Sequence, residues 1–336
     1  MTHPDGGYFT YDYDGMNRAT AIRENGATLV AMLGYDDLGR RATLARGGGV
    51  ATTSYGYDGA SRLSCLTHDL AGGGAPACAG NVAGGSDYLA GFVSSPAGQI
   101  VSRTVANDAY AYTEAYNVAR GYAANGLNQY TQIASFATLN PTYDANGNLT
   151  SDGGTTFTYD SENRLTGASG AKSASLAYDP LGRLFETGGG SAGTTRFLYD
   201  GDALVAEYDG AGTLLKRYVH GPGVDEPLVW YEGNAVSAMS RRYLYADHQG
   251  SIVAVSDADG TLIKANSYDP YGIASANALG RFRYTGQIVL PEIGLYHYKA
   301  RAYSPTLGRF LQTDPAGYDD QINLYALRPK RSGQWA

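Results

Sequence analysis

Along the chain, apolar and polar positions alternate in short runs that end at turn residues, as in Ser54-Tyr55-Gly56-Tyr57-Asp58-Gly59-Ala60-Ser61-Arg62-Leu63. Alternation with period two marks a strand with one buried face. An Asp-Gly pair between two such runs marks a hairpin, because glycine takes the positive φ that a tight turn demands. Asp14-Gly15, Asp209-Gly210 and Asp259-Gly260 put the same pair at other turns. Asn146-Gly147 does so with asparagine, and Asp179-Pro180 with a ring that presets φ. No stretch carries a sustained i, i+3, i+4, i+7 apolar stripe with caps. The pattern therefore predicts an all-β chain of antiparallel hairpins with little helix.

The hairpins repeat. Tyr-Asp-x-x-x-Arg occurs with its three fixed residues at Tyr13, Asp14 and Arg18, at Tyr35, Asp36 and Arg40, and at Tyr57, Asp58 and Arg62. It returns at Tyr159, Asp160 and Arg164 and at Tyr178, Asp179 and Arg183. Degenerate copies at Tyr143-Asp144, Tyr199-Asp200 and Tyr268-Asp269 fill the intervals. A period of about 20 residues indicates an architecture in which one unit cannot bury its own apolar face and stacks on its neighbours. Within a unit the tyrosine suits a half-buried strand face, and the Asp and Arg bracket the turn closely enough to pair across it, fixing geometry more than supplying stability.

Composition narrows the function classes. Gly is 46 of 336 residues, about twice the usual ~7%, which fits many turns. Tyr outnumbers Phe by 29 to 8, as expected of broad, partly wet sheet surfaces. A net charge of −7 argues against nucleic acid as a partner, since phosphate binding needs a basic footprint. No apolar run approaches the ~18–20 residues of a membrane span. Met1–Gly7 lacks the charged and apolar regions of a secretory signal and reads as a cut within a longer repeat array. Cys65 and Cys78 flank part of a Gly-rich insertion at about 63–85, readable either as a disulfide from an oxidising compartment or as two free thiols.

Candidate chemistry is sparse. Gly170-Ala171-Lys172-Ser173 lacks the Gly-Lys adjacency of a phosphate loop, and Asp257-Ala258-Asp259-Gly260 lacks the spacing and distal Glu of a calcium loop. His3, His68, His220, His248 and His297 are scattered without metal-ligand spacing, so neither metal nor cofactor is expected. Asp247-His248 has no nucleophile beside it in sequence and reads as a satisfied strand-end histidine. Repeated Tyr, Asp and Arg could also serve a carbohydrate-binding or adhesion surface, the rival to a purely structural reading.

The repeats resemble the YD repeats of RHS (rearrangement hotspot) proteins, loosely over residues 1–235 and specifically over 236–326. Tyr243-Leu244-Tyr245-Ala246-Asp247-His248-Gln249-Gly250-Ser251 resembles the Asp-His-x-Gly-Ser opening of the RHS-associated core. Tyr268-Asp269-Pro270-Tyr271-Gly272, Arg281-Phe282-Arg283-Tyr284-Thr285-Gly286 and Gly308-Arg309-Phe310-Leu311-Gln312-Thr313-Asp314-Pro315-Ala316-Gly317 follow in that family's order. The resemblance implies a spiral shell, or cocoon, of YD strands closed by the core. Such a shell encloses a C-terminal toxin that aspartyl autoproteolysis releases, in a parent that is secreted or displayed at the cell surface. Upstream YD repeats and the toxin domain are then the partners. Arg309 and Asp314 match half of the cleavage site. The second carboxylate expected of a two-acid mechanism is missing, so the chain is read as non-enzymatic.

Residues 327–336 depart from the family. Leu327–Trp335, back-translated with permitted codons and read one base later, gives Tyr-Val-Arg-Asn-Asp-Pro-Val-Asn-Gly. After Asn323-Leu324-Tyr325-Ala326 that restores the family's continuation, so the tail is expected to come from a shifted reading frame; a genuine divergent tail is the alternative.

Overall fold

The computed structural model describes residues 1–327 except 81, 136, 191–192 and 320–321. The tail from 328 to 336, with the reading-frame expectation attached to it, lies outside the described residues.

Eight strands form the first sheet: β1 (Phe9–Tyr13), β2 (Ala19–Glu24), β3 (Thr28–Tyr35), β4 (Arg41–Arg46), β5 (Ala51–Tyr57), β6 (Leu63–Asp69), β7 (Tyr88–Ser94) and β8 (Ile100–Val105). A small sheet follows, of β9 (Gly121–Ala124), β10 (Tyr130–Ala134) and β11 (Thr138–Leu139). A 13-stranded sheet begins with β12 (Thr142–Tyr143), β13 (Leu149–Ser151), β14 (Thr155–Tyr159), β15 (Leu165–Gly170), β16 (Ala174–Tyr178) and β17 (Leu184–Gly188). It continues through β18 (Thr195–Asp200), β19 (Ala203–Asp209), β20 (Leu214–His220), β21 (Pro227–Glu232), β22 (Arg241–Ala246), β23 (Ile252–Ser256) and β24 (Leu262–Ala265). Last come β25 (Ile288–Leu290), β26 (Leu295–Tyr298), β27 (Arg301–Ser304) and β28 (Arg309–Phe310) in a four-stranded sheet. Strand order follows chain order in all four sheets, and every strand pairing is antiparallel. Among the described residues helix is limited to short 3-10 turns.

Sequential pairing follows from the turns, since a short hairpin loop leaves each strand little choice but its chain neighbour. Layering follows from the side chains. One apolar cluster joins Ile22, Val30, Leu44, Leu66 and Phe92 of the first sheet to Val219, Val229, Tyr243 and Val253 of β20–β23. A second joins Tyr218, Trp230, Leu244 and Val255, from the same four strands, to Phe282, Ile288, Leu295 and Leu311. The end of the long sheet is thus sandwiched between the first sheet and the C-terminal segment. Burial on both faces explains why β21 and β23 are apolar almost throughout instead of alternating.

Several polar side chains inside the sandwich are paired across it. Arg241 donates to Glu24 at 2.5 Å, and Tyr231 donates to the same carboxylate at 2.6 Å. Arg41 pairs with Glu226, and the buried Arg46 reaches the Leu244 carbonyl at 2.6 Å while lying over the Tyr245 ring. On the far face, Glu207 holds Arg281 through two hydrogen bonds of 3.0 and 2.8 Å. These pairs connect residues some 74 to 217 positions apart.

Candidate functional site

The repeated motif is a recurring constellation of polar side chains, and its geometry is the same in all five copies. The aspartate Oδ1 accepts the backbone N–H groups two and four residues on, at 2.9 and 3.0 Å for Asp14 and at 3.1 and 2.9 Å for Asp36. Oδ2 accepts the arginine Nε at 2.8 Å for Arg18 and 2.7 Å for Arg40, Arg62, Arg164 and Arg183. A carboxylate that accepts several N–H bonds favours its charged form. Arg18, through its backbone N–H and then its guanidinium, holds the Asp14 carboxyl below its ordinary value, and the Arg40 and Arg62 guanidiniums lead the same effect at Asp36 and Asp58.

The turn differs from the Asp-Gly hairpin expected at Asp14-Gly15 and Asp58-Gly59. Positive φ falls three residues after the aspartate, at Asn17, Gly39, Ser61, Asn163 and Gly182, and neither Gly15 nor Gly59 adopts it. The loop is a type I turn closed by a left-handed residue, with a bulge that shifts the register at each motif tyrosine. The left-handed position explains the Asn, Gly or Ser before each arginine.

Between copies the motif forms a ladder that the in-turn reading of Asp and Arg missed. The Tyr35, Tyr57 and Tyr178 hydroxyls donate at 2.8 Å to the carbonyls of Ala19, Arg41 and Leu165, in each case the residue after the preceding copy's arginine. Tyr159 donates at 2.7 Å to Leu149, which follows Asn148 in the degenerate copy. The preceding arginine also lies over the next ring, Arg18 on Tyr35 at 4.4 Å, Arg40 on Tyr57 at 4.2 Å and Arg164 on Tyr178 at 5.0 Å. Tyr13, with no motif before it in this chain, is 58% exposed. The sequence signal for this ladder was the phase between one Arg and the next Tyr.

Arg309 and Asp314 are not joined. Asp314 pairs with Arg301 at 2.8 Å and accepts the Ala316 N–H at 3.0 Å. Arg309 donates to the Asn128 carbonyl at 2.7 Å and lies over the Tyr130 ring at 3.3 Å, tying the C-terminal sheet to the small sheet. Cys65 and Cys78 are joined by a disulfide, Cα–Cα 6.1 Å.

The Asp247 turn lines a cleft of about 1360 Å³ with Tyr88, Arg103, Tyr110, Tyr268 and Tyr284. Most of its polar groups are already engaged: Tyr268 on the Ile252 carbonyl, Tyr284 on that of Pro270, and Asp247 on the Gln249 and Ser251 N–H groups. His248 departs from the satisfied histidine expected there. It packs against Phe92 with ring centroids 4.6 Å apart, and its buried Nδ1 has no hydrogen-bond partner among the described residues. Asp257 makes a plain turn, accepting Asp259 and Thr261 N–H groups. Among the described residues no group of three His, Cys, Asp or Glu is placed to hold a metal ion, and no helix is long and apolar enough to cross a membrane.

Residues 97–332 match the family described as Teneurin YD-shell. The chain is 31% identical over 214 residues to the tRNA nuclease WapA of Bacillus subtilis, covering 60% of this chain and 9% of that protein. It is 28% identical over 311 residues to the double-stranded DNA deaminase toxin A of Burkholderia cenocepacia, covering 76% of this chain and 21% of the toxin. In fold it is similar to a chain of the Photorhabdus luminescens Tc holotoxin pore, with a TM-score of 0.72 at 17% identity over 100% of this chain and 20% of that one. A crystal structure of TcdB2-TccC3 aligns with a TM-score of 0.63 at 18% identity over 96% of this chain and 20% of its own. The chain thus spans between 9% and 21% of these proteins.

Proposed function

The chain belongs to the teneurin YD-shell family, an RHS/YD-repeat protein by sequence and by fold, and on that premise we propose that it is a wall segment of a toxin-type shell. In the parent protein this wall encloses an effector carried C-terminal to the RHS-associated core, and the parent is secreted or displayed at the cell surface. The segment works by shape, without catalysis of its own. The observation that carries the reading is the tyrosine–arginine ladder, which runs through the repeats of the first sheet and again through those of the long sheet. Within each sheet it ties successive hairpins to one another and leaves its polar groups engaged with one another instead of converging on a substrate. What further supports it is the likeness in fold to the Tc holotoxin chain along the whole length.

Residues 1–235 act as the repeat wall and 236–326 as the core that closes it, with the long sheet running through both. Asp314, held by Arg301, supplies one carboxylate of a self-cleavage site whose partner lies beyond position 326; Arg309 positions the strand before it.

Enclosure is tested on the parent protein by adding protease and following the C-terminal domain. Survival of that domain in the intact protein, and its digestion once the wall is loosened by Arg164→Ala with Arg183→Ala, is the expected result. Digestion at the rate of the free domain would refute enclosure. Selective glycan binding by this chain, lost on changing Tyr35 and Tyr57, would instead favour the carbohydrate-binding rival.

A further inference from the structure

The insertion between β6 and β7 is built as a latched lid. One arm, residues 70–80, leaves β6 and folds back over the outer face of the first sheet, where Cys78 reaches Cys65. Its root is pinned. The Leu70 N–H donates to Asp87 Oδ1 at 2.9 Å and the Ala71 N–H to the Gly260 carbonyl at 3.0 Å. The Asn107 amide holds the Gly85 and Asp87 carbonyls, and the Tyr110 hydroxyl holds that of Ser86. Between root and tip the lid is glycine: Gly72, Gly73 and Gly74 on one arm, Gly84 and Gly85 on the other, with Gly72 and Gly85 at positive φ.

The tip sits on a strip cleared for it. Register aligns Gly56, Cys65 and Gly91 across β5, β6 and β7, so Cys65 has a glycine on each side. Beneath and beside the tip, Leu89 is 1% and Cys65 5% exposed, although both belong to the face directed away from the core around Leu66 and His68. A groove of about 520 Å³ adjoins the disulfide, lined by Cys65, Cys78, Ala79, Leu89, Gly91 and Thr104. Cys78 itself is exposed.

We infer that the Cys65–Cys78 bond is a redox latch: a low-molecular-weight thiol cleaves it, the tip of residues 75–80 lifts on its glycine arms, and the strip at Cys65 and Leu89 is uncovered while both sheets stay folded. The chemistry is thiol–disulfide exchange. A thiolate attacks the sulfur of Cys78, the exposed residue of the pair, the bond to Cys65 breaks, and Cys65 leaves as thiolate and takes a proton. A second thiol attacks the mixed disulfide and leaves Cys78 as a free thiol. Two thiols are oxidised to one disulfide as the protein bond is reduced by two electrons. Burial sets the direction of attack, because Cys65 is covered and Cys78 is open. In an oxidising medium the lid is shut; in a glutathione-rich compartment it opens. This holds whatever the shell encloses.

The test treats the full chain with reduced glutathione and then with a bulky maleimide, following modification of Cys65 and Cys78 by peptide mass spectrometry. With the lid free, Cys65 reacts within about tenfold of Cys78, and the circular-dichroism spectrum is unchanged. The variant Cys78→Ser leaves Cys65 just as reactive without reductant, separating lid opening from the reduction step. Cys65 remaining more than about a hundredfold slower in both experiments would show that the lid stays shut without its latch. Loss of the β spectrum on reduction would show a structural staple. Either result overturns the inference.

Discussion

Replacing Arg281 by methionine should weaken the sandwich far more than an ordinary surface change, because it strands a carboxylate inside it. The Glu207 side chain is 3% exposed and the Arg281 side chain 12%. Three donors meet that carboxylate: Arg281 Nε at 3.0 Å, Arg281 Nη2 at 2.8 Å and the Tyr218 hydroxyl at 2.5 Å. The substitution leaves only the last. Removing one partner of a buried ion pair costs about 3–5 kcal/mol, most of it the penalty for the charge left behind. Glu207→Gln should fall at the lower end of that range, since Arg281 keeps the Val289 carbonyl at 3.1 Å. The double variant should cost less than the two singles together by at least about 2 kcal/mol, because neither charge is then orphaned. Burial pushes the Glu207 carboxyl up, and Arg281 with Tyr218 more than reverses it, leaving it below its ordinary value. Its stabilising effect is therefore present above the unfolded-state value and lost as pH falls through the folded one, so the cycle belongs near neutral pH. Trp230 is the reporter, packed so closely on Gly280 that a Cβ there would come within 2.9 Å of its ring. The chain has two tryptophans, so Trp335→Phe leaves Trp230 alone. Urea unfolding read by its fluorescence, with hydrogen exchange of β19 and β20 as a second probe, measures the cycle. Singles that cost under about 1 kcal/mol, or that sum to the double, would refute a tightly coupled buried pair.

Acid should destabilise the chain well above the carboxylate range. Burial, aided by Arg46, lowers His68 to about 3, and burial lowers His3 and His297 to about 4. Between those values and the ordinary 6.5 the unfolded chain binds protons that the folded one refuses, costing up to about 2 kcal/mol per histidine near pH 5. A melting temperature equal at about pH 7 and pH 5 would contradict this. Tyr178→Phe removes the bond to the Leu165 carbonyl and should cost about 0.5–1.5 kcal/mol, with faster exchange confined to β14–β17; a neutral result would argue against the ladder as a coupling device. Gly260→Ala should cost more than a typical surface change, since φ is +81° and the Val50 carbonyl lies 2.6 Å from the added carbon; thermal melting checks it. The purified chain should not cleave itself, and C-terminal fragments that vanish in Asp314→Asn would show that the half-site is sufficient.

The class of fold, the sequential hairpins and the place of the motif turns were legible in the sequence because each depends on interactions within about 22 residues. Period-two alternation sets the strand faces, and Asp with its downstream arginine closes the loop. Even the left-handed position could be read once phased correctly, from Asn17, Gly39, Ser61, Asn163 and Gly182. Tertiary structure alone decided what lies across the sandwich. Nothing near Glu24 in sequence indicates that Arg241 will meet it, and Arg46 has no local sign that it will be buried against Leu244 and Tyr245. Asp314 was grouped with Arg309 by adjacency in the motif, yet it pairs with Arg301 on β27, while Arg309 on β28 serves Asn128 and Tyr130 of the small sheet. The physical reason is range. Turn chemistry and strand pleat are written into neighbouring residues, whereas the partner of a buried charge depends on how two sheets of sequential hairpins come to lie on one another. That arrangement is selected by the summed burial of both apolar faces of β20–β23, a property of no single segment.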